Sequence, residues 1–246
     1  MATRTILDTQ VGYRTGRSSE TNFAAIVHFA FDSFLQEAAL VHNFLEMRFT
    51  DSISIEATDY KADMPTSEHT GFQDDVHHIL GAYLRKSSER TSSFHVKSSA
   101  WLDRVHGDRS RTGASAERPF YGARFNTEFH WNSPSNDDYT LYLRTSHLPA
   151  VSLFVDGTDS TVNPIPCLDA ALIAYGTAAI LENTGAIKEA DRQLQRAYGL
   201  IGVSIGSDER HPAVEQIADM RGMSPLGGRT GYLFSLSDLQ DVYPES

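Results

Sequence analysis

Between Phe23 and Leu45 the apolar residues recur in steps of three and four: Phe23, Ile26, Val27, Ala30, Phe34, Ala38, Val41 and Leu45. That spacing lays one face along an α-helix. Phe29, Phe31, Leu40 and Phe44 widen the face, which predicts a helix buried on more than one side or packed against another subunit. Ser18, Ser19 and Thr21 stand just ahead of it and can cap its first turn. Residues 1–20 are polar, carry Gly12 and Gly16, and predict an arm or a turn.

The period then shortens. "SISIEATDY" (52–60) alternates apolar and polar positions, as a half-buried strand does, and Pro65 with its polar neighbours ends it. "DDVHHILGAYLRKSSE" (74–89) fits a strand or a helix, and "SFHVKSSAWL" alternates again. Residues 103–118 are rich in Gly, Ser and Arg and predict an exposed loop. Three strand candidates follow at 121–131, 139–146 and 150–157, with a turn at 132–138 between the first two. Connections this short favour antiparallel pairing.

Pro164 and Pro166 then set an extended entry and a helix start. Leu168, Leu172, Tyr175 and Ala179 share one face of that helix. Its alanines and Gly176 make it thin, so Ala174 and Ala178 are expected to lie close against another helix. Gly185 ends it, and Ile187, Ala190, Leu194, Ala197 and Ile201 trace a second helix. The remainder is rich in Gly and Pro, with one apolar island at 231–239. The predicted fold class is α+β. Its helical core, residues 1–60 and 164–205, consists of a long N-terminal helix plus a C-terminal helical hairpin. An antiparallel β portion, 61–163, is inserted, and 206–246 form an extended C-terminal tail.

Composition narrows the function classes. Of 246 residues, 40% are hydrophobic and 22% charged, a globular balance. The net charge of −11 argues against broad nucleic-acid affinity, which needs Lys and Arg to neutralise phosphates. The single cysteine, Cys167, allows no disulfide within the chain and no Cys-based zinc site, and it suits a reducing compartment. The first residues lack the apolar segment of a secretory signal, and no membrane span is expected.

Candidate chemistry is sparse. His77 and His78 are adjacent, but adjacent side chains diverge, and no HExxH or HxH spacing occurs. Cys167 follows Pro166 at a helix start among apolar neighbours, which predicts a small buried residue. There is no GxSxG, Walker or GxGxxG pattern. Asp137 and Asp138 sit in a turn, and Arg104, Arg109, Arg111 and Arg118 in a solvated loop. No catalytic, cofactor-binding or metal-binding residue is therefore assigned, and no enzyme is expected. The strong features are surfaces, which suit assembly.

The order of elements resembles the head-to-tail adaptor proteins of tailed bacteriophages, including the tail tubular protein A group. A long helix leads to "ISIEATDYKADMP", then to "ERPFYGARFNTEFHWNSPSNDDYTLYLRTSHLPA" and "PIPCLDAALIAYGTAAILENTGAIKEADRQLQRAYGLI". Pro119, Phe120 and Tyr121 match the family's proline-aromatic element, and Pro134, Asp137, Tyr139 and Leu141 its turn and Tyr/Leu strand. Ile165-Pro166 with Ala170 to Leu181, and Ala190 to Tyr198, match its two late helices. The resemblance covers residues 20–205 unevenly and leaves 85–118 and the tail unmatched.

It implies a structural protein of the virion neck, put together in the host cytoplasm. A ring of self-copies, a dodecamer in this family, would dock on the portal and join the next tail, nozzle or stopper protein. DNA would pass through the ring without sequence-specific binding. Other neck rings (a stopper or a tail terminator), or a small-ligand-binding or enzymatic α+β domain, are the alternatives. Portal contact is expected from the apolar island, at Tyr232, Leu233, Phe234, Leu236 and Leu239. Subunit packing is expected at Phe29, Phe31, Phe44, Ala174 and Ala178.

Overall fold

Alternating burial along Arg48–Ile55 (β1) and Tyr139–Pro149 (β7) is the pattern from which the sheet is built. On β1 the side chains of Asp51, Ile53 and Ile55 turn inward; on β7 those of Tyr139, Leu141, Leu143, Thr145 and His147 do. The computed structural model describes residues 2–86, 91–107 and 115–210. Five more strands complete the sheet: β2 (Lys61–Asp63), β3 (Phe72–Arg85), β4 (Ser92–Val96), β5 (Tyr121–Phe125) and β6 (Glu128–Trp131). Their order is β1-β7-β3-β4-β5-β6-β2. All neighbours are antiparallel except β4 and β5, which run parallel. The two outer strands, β1 and β2, approach each other, so the sheet curls around its own core. That core holds Ile53, Ile55, Leu84, Phe94, Phe129, Trp131, Leu141 and Leu143.

A second apolar core lies among the helices α1 (Arg4–Thr15), α2 (Phe23–Val41), α4 (Asp169–Asn183) and α5 (Ile187–Arg210). By length and mean hydropathy alone, 19 residues at 1.3, α2 could cross a membrane. Here it is a core helix, with Phe31, Phe34 and Leu35 fully buried. The chief partners of α4 are α2 and α1. Gly176 makes this possible: a Cβ there would lie 2.7 Å from Phe31 and 3.3 Å from Val11. A fifth helix, α3 (Ser99–His106), packs on β5 and is capped by Ser98, whose hydroxyl accepts from the Trp101 N–H at 3.2 Å.

This is not the predicted architecture of a long N-terminal helix plus a C-terminal hairpin carrying a β insert. The organising element is a seven-stranded curled mixed sheet, and the described residues up to 208 form one compact unit. The N-terminal segment expected as an arm is α1, because Leu7 and Val11, one turn apart, are fully buried. The helical part ends before β1 begins at Arg48, so residues 48–60 belong to the sheet side. The ambiguous 74–89 segment lies mostly in β3. The single strand expected at 121–131 is two, folded at Asn126 with φ of 55°.

The strand expected at 150–157 is a run of turns. Its Phe154 and Val155 N–H groups donate to the Asp32 carboxylate at 2.9 and 3.0 Å rather than to a neighbouring strand. Cys167 is exposed, not buried. The predicted tail lies outside the described residues from 211 onward.

Gly176→Val should destabilise the chain by about 1–3 kcal/mol, because Phe31 is fully buried and has no room to retreat. Chemical denaturation of the variant beside the parent measures this, and equal midpoints would refute the close approach.

Candidate functional site

Two features stand apart from ordinary core. The first is a groove of about 800 Å³ on the helical side. Ile26, Phe29 and Ala30 of α2, Ala178 and Ala179 of α4, and Ile187, Ala190 and Leu194 of α5 line it. Phe29 is 69% exposed and Ile187 51% exposed, although both are large apolar side chains. Glu182 and Asp191 also line the groove. Tyr198 closes one side, and its hydroxyl donates to Glu37 at 3.1 Å. Burial, then the negative charge of Glu37, pushes the Tyr198 phenol up to about 12. Tyr175 is raised for the same reasons, burial first and then Glu37 and Glu182. Both phenols are therefore neutral donors at ordinary pH, not bases or nucleophiles. The groove offers apolar contact area and no catalytic pair.

The second feature is a polar cluster at one end of the sheet's interior. Asp51 of β1 sits beside Thr145 and His147 of β7 because β1 and β7 pair antiparallel with Asp51 opposite Leu143. Thr145 and His147 are two and four residues further along the same inward face. The Thr145 hydroxyl donates to Asp51 Oδ2 at 2.6 Å, and His147 Nε2 lies 2.9 Å from the same oxygen. His69 reaches in from the loop between β2 and β3, placing Nε2 3.2 Å from Asp51 Oδ1. Phe49 stacks on the His69 ring at 3.8 Å and holds its plane. The loop itself is pinned by a bridge between Thr66 and Asp75. On the far side of His147, Nδ1 lies 2.9 Å from the Gln73 carbonyl.

Burial would raise the Asp51 carboxyl. The hydrogen bonds from Thr145, Ser67 and His147 outweigh it and hold the carboxyl below its ordinary value. The ionised form is thus the one this pocket is built around.

The structure separates the residues expected at subunit contacts. Phe31, Phe44 and Ala174 are fully buried in the chain's own helical core, so they are not available to a neighbour. Ala178 is 5% exposed and borders the groove, and Phe29 is its most exposed aromatic. Tyr232, Leu233, Phe234, Leu236 and Leu239 lie outside the described residues. The His77 and His78 rings lie with centroids 3.9 Å apart, tilted at 53°, and burial of His77 lowers its pKa, with His78 and Arg124 adding to the effect. They are not part of the Asp51 cluster.

Sequence reasoning missed Asp51, His69 and His147. Two of them fall one residue beyond the strands it drew, at 52–60 and 139–146. The available signal was the inward period of β7, which continues through Thr145 to His147. Compared with known proteins, the chain matches no family model and no curated protein.

Thr145→Val removes one donor from the buried carboxylate and should cost about 1.5–3 kcal/mol near neutral pH. Because Asp51 is depressed in the fold, its stabilising contribution is complete above the unfolded value of about 3.9 and is lost as pH falls through the lower folded value. The gap between variant and parent should therefore be widest at neutral pH and close below about pH 4. Denaturation midpoints across pH 3–7 check this, and a gap that stays constant with pH would rule out the carboxylate as its source.

Proposed function

We propose that the chain is the repeating subunit of a head-to-tail adaptor ring in a tailed bacteriophage. The observation that carries this reading is the wide apolar groove between α2, α4 and α5, with Phe29 standing in it 69% exposed. Surfaces of that kind mark contact with another macromolecule. Small-molecule sites instead converge a few placed polar groups on an enclosed cavity, and the groove lining is chiefly apolar with its acids at Glu182 and Asp191.

The occupant is a second copy of the chain. The surface offered to the groove in this reading is α3, where Val105 is 52% exposed and Arg104 is exposed beside it. Pairing the acid-bearing apolar groove with that valine and arginine would be a heterologous contact, and a heterologous contact that closes on itself makes a ring. The acidic chain, at −11, suits a channel that lets DNA slide. In this reading the portal binds one face of the ring, through the apolar island of the tail. The next tail protein binds the other face, and the ring resides in the virion neck.

Mixing the chain with the portal of its phage should produce a ring by sedimentation and particle images. Phe29→Asp should weaken assembly by about tenfold or more, as expected for the loss of a buried aromatic anchor, without lowering the melting temperature of the monomer. Arg104→Glu should weaken it too, and Asp191→Lys should restore part of the loss. A chain that stays monomeric beside portal, or a Phe29→Asp variant that assembles normally, would overturn the proposal.

A further inference from the structure

We infer that Asp51, His69 and His147 form a binding site for one divalent transition-metal ion of the zinc class. His147 is fully buried. Its Nδ1 faces the Gln73 carbonyl at 2.9 Å, and a carbonyl only accepts, so that nitrogen carries a hydrogen. Nε2 then points at the Asp51 carboxylate, 2.9 Å away, and a carboxylate also only accepts. A positive species belongs between them. The other carboxylate oxygen, Oδ1, faces a second imidazole nitrogen, His69 Nε2, at 3.2 Å. A proton can fill either gap singly. One divalent ion fills both.

The geometry fits. The three ligand atoms lie within 4.8 Å of one another. A tetrahedral ion with bonds of about 2.0–2.1 Å sets its ligand atoms about 3.3 Å apart, so the ligands need only small movements. The rings of His69 and His147 meet nearly edge to face, with centroids 4.7 Å apart at 76°, and both present a nitrogen to the same carboxylate. The outer shell is present as well. A backbone carbonyl on Nδ1 of His147 fixes the ring and makes its other nitrogen a better ligand. The Thr145 hydroxyl orients the carboxylate.

Two nitrogens and one carboxylate oxygen are borderline ligands that favour zinc and its neighbours over calcium or magnesium. A water or the Ser67 hydroxyl, which already bonds Asp51, can take the fourth position. The Asp51 and His147 side chains are 1% and 0% exposed, so a substrate has no approach through them. The ion would act structurally, fastening the β2–β3 loop to the sheet. His69, with its side chain 20% exposed, is the ligand through which the ion would enter.

The test uses the untagged full-length chain, stripped with chelator and titrated with Zn²⁺ and separately with Co²⁺. One ion per chain is expected, with the visible absorption of a tetrahedral Co²⁺ site and a rise in melting temperature. His69→Ala, at the most exposed ligand, should remain folded and lose about tenfold or more in affinity, along with the thermal shift. His77→Ala should bind like the parent, since His77 lies outside the cluster. A folded parent that takes up no stoichiometric ion would overturn the inference. So would binding that survives His69→Ala or disappears with His77→Ala.

Discussion

A carboxylate buried where two apolar cores meet sets the terms for the rest of the chain. Asp51 is 3% exposed, and removing an ion from water costs several kcal/mol unless donors surround it. Those donors come from two places, Thr145 and His147 on β7 and Ser67 and His69 on the β2–β3 loop, and the Gln73 carbonyl at the start of β3 accepts from the far nitrogen of His147 and fixes its ring. Each needs a particular register. A one-residue slip of β1 against β7 would turn Asp51 to solvent and Ser52 inward, and would strip the site of its acceptor. The carboxylate therefore selects the pairing at the edge of the sheet, where an apolar face alone would tolerate more.

The same logic carries the sheet into the helices. β7 ends at Pro149, whose carbonyl accepts from Gln36 of α2 at 2.6 Å and from Gln73 of β3 at 3.0 Å. The chain then turns through Phe154, held by Asp32 of α2, and Arg4 of α1 donates to the Phe154 and Gly157 carbonyls. Burial raises the Asp32 carboxyl although the two backbone N–H groups oppose the rise. Two buried acids thus flank the junction, and their environments differ. Asp51 has hydroxyl and imidazole donors enough to stay well ionised, whereas Asp32 has two amides and His28 nearby and is less comfortable as an anion. Apolar contact fills the two cores, and directional polar bonds fix how one follows the other.

Much of this was legible only in pieces. The α2 stripe, the alternation in β1 and β7 and the late helices follow from spacing, because each buries one face over several turns or pairs. α1 was not legible, since two buried side chains, Leu7 and Val11, are too few to make a stripe among polar neighbours. The apolar run at 150–157 looked like a strand because composition does not reveal that its N–H groups would find a carboxylate from α2. The sheet's closure was hidden for a related reason: a parallel β4–β5 pair and a curl that brings β1 toward β2 are long-range facts with no local period. The metal-type cluster unites residues 51, 69 and 147, distant in sequence and brought together by the register of β1 on β7 and by the path of the β2–β3 loop.

The α2 stripe carries more apolar positions than the chain's own core covers. Spacing alone allows its surplus apolar positions to face the chain's own core or a neighbouring subunit. Packing divides them: Phe31, and Phe44 just past the end of the helix, are fully buried, and the missing Cβ of Gly176 lets α4 reach Phe31, whereas Phe29 and Leu40 stay exposed. What remains uncovered is narrow, chiefly Phe29 with Leu40 and Val41 further along the helix. A helix that needed only to close its own core would gain nothing from leaving Phe29 in water. That residue sits in a groove built from three helices, with carboxylates beside it. One aromatic side chain and its groove therefore carry the proposed assembly, where spacing had offered a whole helix.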